Sequence, residues 1–215
     1  MLLHGLGRTR HSMSGLGRAL ERDGYAVLNL GYPSRSGDLP ELVAHLEERL
    51  AEAGLGPGSE PPPRAPVHFV GHSAGGILAR AFLTAHPGYP VGHVVQLAPP
   101  NGGSSLAAEL SDVPLFDRIF GPLGDALADL SLAAPHYPLG VIAGDHSIYL
   151  TSLLIDGEDD GIVAVEETYA DGLADHLVVP HTHTFIMHSR EVRRQVACFL
   201  RTGAFAREDP SGAAR

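Results

Sequence analysis

Val67-His68-Phe69-Val70-Gly71-His72-Ser73-Ala74-Gly75 is a strand that runs into a helix through the pattern G-x-S-x-G. Pro66 opens the strand. After the turn, Ile77, Leu78, Ala81 and Phe82 recur at helical spacing until His86-Pro87-Gly88 stops the helix. A serine at such a turn sits in a cramped place. Glycine is needed two residues to either side, because a Cβ there would strike the neighbouring strand or helix, and the hydroxyl is held out above the sheet edge. The plainer alternative is a Gly-rich turn with an incidental serine, and the strand and amphipathic helix around it favour the elbow.

Outward from this point, strand-like runs alternate with helical patterns, as in a mostly parallel sheet covered by helices on both faces. The sequence predicts six strands, near Leu2-His4, Ala26-Leu30, Val67-Val70, His93-Leu97, Gly140-Ala143 and His176-Val179. It predicts helices near His11-Asp23, Pro40-Ala53, Ala74-His86 and Arg190-Arg201, the last closed by Gly203. The Gly- and Pro-rich stretch 54–65 is expected to be a surface loop within one domain spanning 1–203, with a disordered tail over 204–215. Residues 101–138 break the alternation. Their apolar residues, interrupted by Pro114, Gly121-Pro122 and Gly124, suggest short helices that either cover the sheet or form a pocket wall or small lid.

With 215 residues, 44% of them apolar, the chain is long enough for one ordinary core. Its net charge of −10, with no basic cluster along the sequence, sets aside nucleic acid and anionic membrane surfaces as partners. The one cysteine, Cys198, excludes an internal disulfide and is expected to pack as a small apolar residue. No run resembles a membrane span or signal peptide, so the chain as written is expected to be cytoplasmic, or secreted if a leader precedes Met1.

A serine at neutral pH needs a general base, itself oriented by a carboxylate. On a sheet of this kind the chain order is Ser, then Asp or Glu, then His. Among thirteen histidines, only His181, His183 and His188 lie between the last strand and the last helix. His183 falls within the loop and is the favoured base. For the acid, Asp156-Gly157-Glu158-Asp159-Asp160-Gly161 follows the penultimate strand. Asp160 is the first choice, Asp159 the next, and Asp145 a rival at the strand's own end. Most of that acidic run reads equally well as a solvated loop or a calcium site. A zinc site using His181 and His183 with Asp175 or His176 lacks a standard fourth ligand spacing, and no metal is expected. The oxyanion of acyl transfer needs backbone donors: Ala74 at the helix N-terminus supplies one, and Leu6 in His4-Gly5-Leu6-Gly7 is the expected second. His4, Gly5, His72 and Asn101 are expected to line the substrate pocket.

With these pieces placed, the chain resembles the small bacterial lipase and esterase branch of the α/β-hydrolase family over roughly Leu2 to Leu200. The likeness rests on Leu3-His4-Gly5-Leu6-Gly7, Gly71-His72-Ser73-Ala74-Gly75-Gly76, Ala98-Pro99-Pro100-Asn101-Gly102-Gly103-Ser104, Asp160-Gly161-Ile162-Val163 and the position of His183 before the last helix. The resemblance implies an α/β-hydrolase fold with a minimal or small lid. It implies Asp160 over Asp145, supports His183, and implies hydrolysis of carboxylic esters without a cofactor. The first strands of the full fold are absent, which leaves a six-stranded core. Ala74 stands where many relatives carry Leu, Met or Gln, which leaves a main-chain donor unchanged.

The expected function is therefore a serine esterase or lipase acting through Ser73, His183 and Asp160 on a small-molecule ester with an apolar acyl chain; the sequence leaves open whether the chains are short, as for an esterase, or long, as for a lipase or a polyester hydrolase. An acyltransferase or amidase would use the same triad, and a binding protein would keep the fold without the chemistry.

Overall fold

The computed structural model describes residues 1–103, 105–106, 132–148 and 150–207. The expected short helices of 101–138 therefore lie almost wholly outside the described residues. Six strands form one sheet: β1 (Leu2–Leu3), β2 (Asn29–Leu30), β3 (Val67–His72), β4 (Val91–Leu97), β5 (Leu139–Gly144) and β6 (Asp175–Val179). Their spatial order is β2-β1-β3-β4-β5-β6, and every pair is parallel. The α-helices that lie wholly within the described residues are α1 (Ser14–Arg22), α2 (Leu39–Glu52), α3 (Ala74–Ala85) and α4 (Arg190–Thr202). All ten elements fall where the periodicity predicts them.

Right-handed crossovers explain which face each helix covers. The chain steps one way from β1 to β2 and the other way from β2 to β3 and from β3 to β4, so α1 falls on one face and α2 and α3 on the other. Side chains that alternate along each strand split accordingly. Leu3, Phe69 and Val94 join Leu42, Leu46, Ile77 and Phe82 in one core. Leu2, Val70 and Val95 join Leu16, Leu20, Val192, Val196 and Phe199 in the other.

The helix ends follow local chemistry. Asp38 and Glu41 form a reciprocal capping box at the start of α2, each side chain accepting from the other's backbone N–H at 2.9 and 3.2 Å. Ser189 caps α4, and Gly203 closes it in the left-handed region. Order continues past that glycine. Phe205 is buried, its N–H donates to Asp175, and Ala206 exchanges two hydrogen bonds with Gln195. The expected tail thus does not begin at 204, because Phe205 is an apolar anchor the composition of the segment conceals. Cys198 is half-exposed on α4 rather than fully packed. No helix among the described residues is long and apolar enough to cross a membrane.

The strand order reverses direction between β1 and β3, where loops leaving the carboxyl ends part to opposite sides and open a crevice. Ser73 ends β3 and His4-Gly5-Leu6 ends β1, so both border this crevice.

Candidate active site

The elbow is built as its glycines require. Ser73 has φ 52° and ψ −126°, a conformation that costs a non-glycine residue about 1–3 kcal/mol and persists only when its surroundings impose it. Two contacts impose it. The Ser73 N–H donates to Leu97 O of β4 at 2.8 Å, and Gly76 N–H donates back to Ser73 O at 2.8 Å. A Cβ on Gly71 would lie 2.4 Å from Gly76 N, and one on Gly75 would lie 2.4 Å from His4 O. The helix thus starts directly against β3 on one side and β1 on the other. Gly75→Ala should lower Tm by about 10 °C, because backbone on backbone cannot give way as an overpacked side chain does. A thermal melt within a few degrees of the parent would show that the contact relaxes.

His183 and Asp160 come together from two loops. Nδ1 of His183 lies 2.8 Å from Asp160 Oδ2, and the His183 N–H donates to Asp160 O at 3.0 Å. The carboxylate is fully buried and completes its bonding with the N–H groups of Ile162 and Val163 on Oδ1, at 3.1 and 2.8 Å. An Nδ1–H that donates to this carboxylate leaves Nε2 as the free acceptor. Asp145 is exposed, with its N–H on Val179 O. Asp159 is turned to Ser152 Oγ and Gly161 N–H. His181 and His188 make no bond to the acid loop's carboxylates. The other zinc candidates are engaged elsewhere: His176 bonds Thr168 Oγ1 and stacks on Tyr169, while Asp175 receives Phe205 N–H and Arg207.

His72, beside the serine, bridges the elbow to the base loop. Its Nε2 donates to His183 O at 2.9 Å, and the two rings lie 4.9 Å apart. Burial holds His72 well below the usual histidine range, with the nearness of His183 adding to it, so it is a neutral strut. Its Nδ1 is buried without a partner. Ser73 Oγ makes no hydrogen bond to His183 in this structure.

On the β1 side, His4 is also buried, which lowers its pKa. Nδ1 donates to Gly5 O at 2.9 Å and Nε2 accepts the Tyr32 N–H at 3.3 Å. Tyr32 returns its hydroxyl to His4 O at 2.6 Å and stacks on the ring. Ser34 Oγ takes the Gly7 N–H at 3.1 Å, which leaves the N–H of Leu6 without a partner among the described residues. Ala74, the first residue of α3, has the orphan N–H that any helix start presents.

Behind the elbow lies a polar network. Arg80 of α3 donates to Asn101 Oδ1 at 2.8 Å and to the carbonyls of Leu132 and Ala133 at 3.4 and 3.0 Å. Asn101 Nδ2 donates to Gln96 Oε1 and Thr168 O, each at 2.8 Å. The four residues expected to line the pocket, His4, Gly5, His72 and Asn101, are all buried, and the three polar ones are bonded inward. These inward bonds fix the side chains of His4, His72 and Asn101 against their neighbours. Tyr32, Ser34 and Arg80 carry no sequence motif; only the assembled fold brings them to the site. A 430 Å³ apolar cavity lined by Met1, Tyr25, Leu28 and Val67 opens at the amino ends of the strands, the far edge from Ser73.

No protein-family model matches the chain, and no curated protein matches it. Solved structures do. Lipase BlEst2 of Bacillus licheniformis in mature form superposes with a TM-score of 0.68 at 20% identity, covering 94% of this chain and 90% of that one. Phospholipase PlaB of Legionella pneumophila gives 0.68 at 15% identity over 94% of this chain and 59% of that one. Carboxylesterase CesB of Bacillus subtilis gives 0.55 at 15% identity, over 94% and 82%. With its parallel six-stranded sheet and a serine elbow at the end of β3, the chain has the α/β-hydrolase fold that these three enzymes share.

Proposed function

We propose that the protein hydrolyses carboxylic esters through an acyl-enzyme on Ser73. The observation that carries this reading is the buried His183–Asp160 pair, joined by His72 to a serine in a strained turn. A binding protein has no use for a fully bonded carboxylate behind an imidazole.

In the proposed reaction, His183 Nε2 takes the Ser73 proton as Oγ attacks the ester carbonyl. Asp160 keeps the imidazole in its Nδ1–H form and stabilises the imidazolium. The oxyanion is met by the N–H groups of Leu6 and Ala74, the latter aided by the α3 dipole. Collapse breaks the ester C–O bond, and the alcohol leaves with the proton from His183. Water then repeats the sequence and releases the acid. The bond from Ser73 to His183 closes with substrate in place, as catalytic hydrogen bonds commonly do. The chemistry calls on no cofactor.

The substrate side favours apolar acyl groups. Beside the acid loop, the turn Leu150–Leu154 ties Thr151 to Gly161 O and Ser152 to Asp159, each at 2.5 Å, and turns its leucines outward. Leu150 is 85% exposed and Leu153 83%. Apolar side chains held out beside a crevice suit an apolar ligand. Turnover of p-nitrophenyl esters should rise from acetate toward longer aliphatic chains and fall for esters of dicarboxylic acids. A preference for charged acyl groups would contradict this pocket.

The deciding experiment is labelling with a fluorophosphonate, read by mass spectrometry, alongside ester turnover. Stoichiometric modification of Ser73 is expected. Absence of label and turnover on a folded sample would overturn the reading. Partition of product toward an added alcohol or amine would move it to acyl transfer.

A further inference from the structure

Helices α1 and α4 lie side by side, and the groove of about 740 Å³ between them is lined by Arg22, Arg190, Arg193, Arg194 and Arg201. Arg18, one turn before Arg22, adds a sixth guanidinium. The Arg193 guanidinium reaches across to α1 and lies over Gly15, where a Cβ would stand 2.5 Å from Nη2, and its Nε donates to Met187 O at 3.2 Å. None of the six forms an ion pair among the described residues. The nearby carboxylates are Glu21, Asp23 and Glu191, so six cations face three anions on a chain whose net charge is −10. Sequence order hides this cluster: the arginines stand at helical spacing in two segments far apart in the chain, and only the fold assembles them.

The cluster continues toward the serine. Arg8 stands in the loop after β1 and, with Arg193, acts on His188, which burial already holds below its ordinary pKa. Phe185, in the same loop as His183, is 55% exposed, with its ring 6.2 Å from that of His188. The basic groove therefore ends at an exposed aromatic ring beside the site. Phosphate groups suit guanidinium forks, and an exposed ring next to them suits an apolar phase. A lipid layer supplies both; a nucleic acid supplies phosphates and bases that can stack on Phe185, but offers the exposed Leu150 and Leu153 beside the acid loop nothing to enter.

We propose that the α1–α4 face docks on an anionic phospholipid layer and brings the crevice at Ser73 to the lipid. The docking stands independently of catalysis; its use in presenting substrate rests on the ester-hydrolase reading. The test uses the full chain carrying Ser73→Ala, so that lipid is not consumed, in cosedimentation with vesicles of phosphatidylcholine alone or mixed with phosphatidylglycerol. Binding to the mixed vesicles is expected, weakening as salt is raised. Arg18→Gln, Arg22→Gln, Arg190→Gln and Arg194→Gln together should weaken it about a hundredfold or more, since each basic side chain contributes about 1 kcal/mol near an anionic surface. Arg49→Gln, on α2, should leave it unchanged. Circular dichroism and melting show whether the fourfold variant is folded; if it is not, single substitutions, each expected to weaken binding about fivefold, replace it. The proposal is overturned by no binding, by equal binding to neutral vesicles, by folded variants that still bind, or by duplex DNA that binds as tightly at the same salt. Failure of the fluorophosphonate label would not touch these outcomes.

Discussion

Ser73→Ala is expected to lower ester turnover by about 10⁴-fold or more while the protein keeps its fold. The residual rate would come from the backbone donors of Leu6 and Ala74 and from substrate binding, neither of which needs the hydroxyl. The fold should survive because Ser73 Oγ makes no hydrogen bond to a described residue, and the strained backbone is held by main-chain bonds to Leu97 and Gly76. Alanine carries the same Cβ and meets the same φ of 52°. Turnover of p-nitrophenyl esters and a thermal melt on the same sample separate loss of chemistry from loss of structure. Retained turnover would end the serine account.

The second large effect falls on the acid. Asp160→Asn should cost about 10⁴-fold in kcat, as an amide in this place reverses the polarity that His183 relies on. The carboxylate accepts three bonds, from His183 Nδ1–H, Ile162 N–H and Val163 N–H. An asparagine has one acceptor oxygen. If that oxygen stays on the two backbone donors, its NH₂ faces Nδ1 and forces the proton onto Nε2, where the base must be free. Asp145→Asn should change kcat by no more than a few-fold, because Asp145 is exposed and its side chain is bonded to no described residue. Measuring both variants at one pH decides the matter, and equal losses would mean that the acid is not uniquely Asp160.

Much of this was legible before any coordinates. Alternating strand and helix patterns located the six strands and the helices α1 to α4, because the apolar residues of each follow its own period, whereas short turns such as Leu150–Leu154 have too few residues to show one. The elbow was legible because its glycines answer a steric demand that acts within a few residues of Ser73. The carboxylate was harder: its place on the loop makes Asp160 the first choice with Asp145 still a rival, the family resemblance favours Asp160, and only the fold shows that Asp160 alone of the three meets His183. His4, His72 and Asn101 are placed near Ser73 by their motifs, while the inward bonds of their side chains depend on partners far away in the sequence. A motif shows that a polar residue is near the chemistry and is silent on whether it points at ligand or at backbone. The arginine groove was missed for a related reason. Charge was read along the chain, and α1 and α4, far apart in sequence, meet only in the fold.

The guanidinium of Arg80 has a consequence for how such a protein can be altered. It grips Asn101 at the exit from β4 and the carbonyls of Leu132 and Ala133 on the way into β5. Both moorings belong to α3, the helix that carries the serine. One side chain thus holds the chain where it leaves β4 and again where it heads for β5, so both places are fixed relative to the turn at Ser73. Grafting experiments that change the sequence in between should keep Arg80, Asn101 and the backbone from Leu132 onward as the joints, so that Ser73 stays where it is.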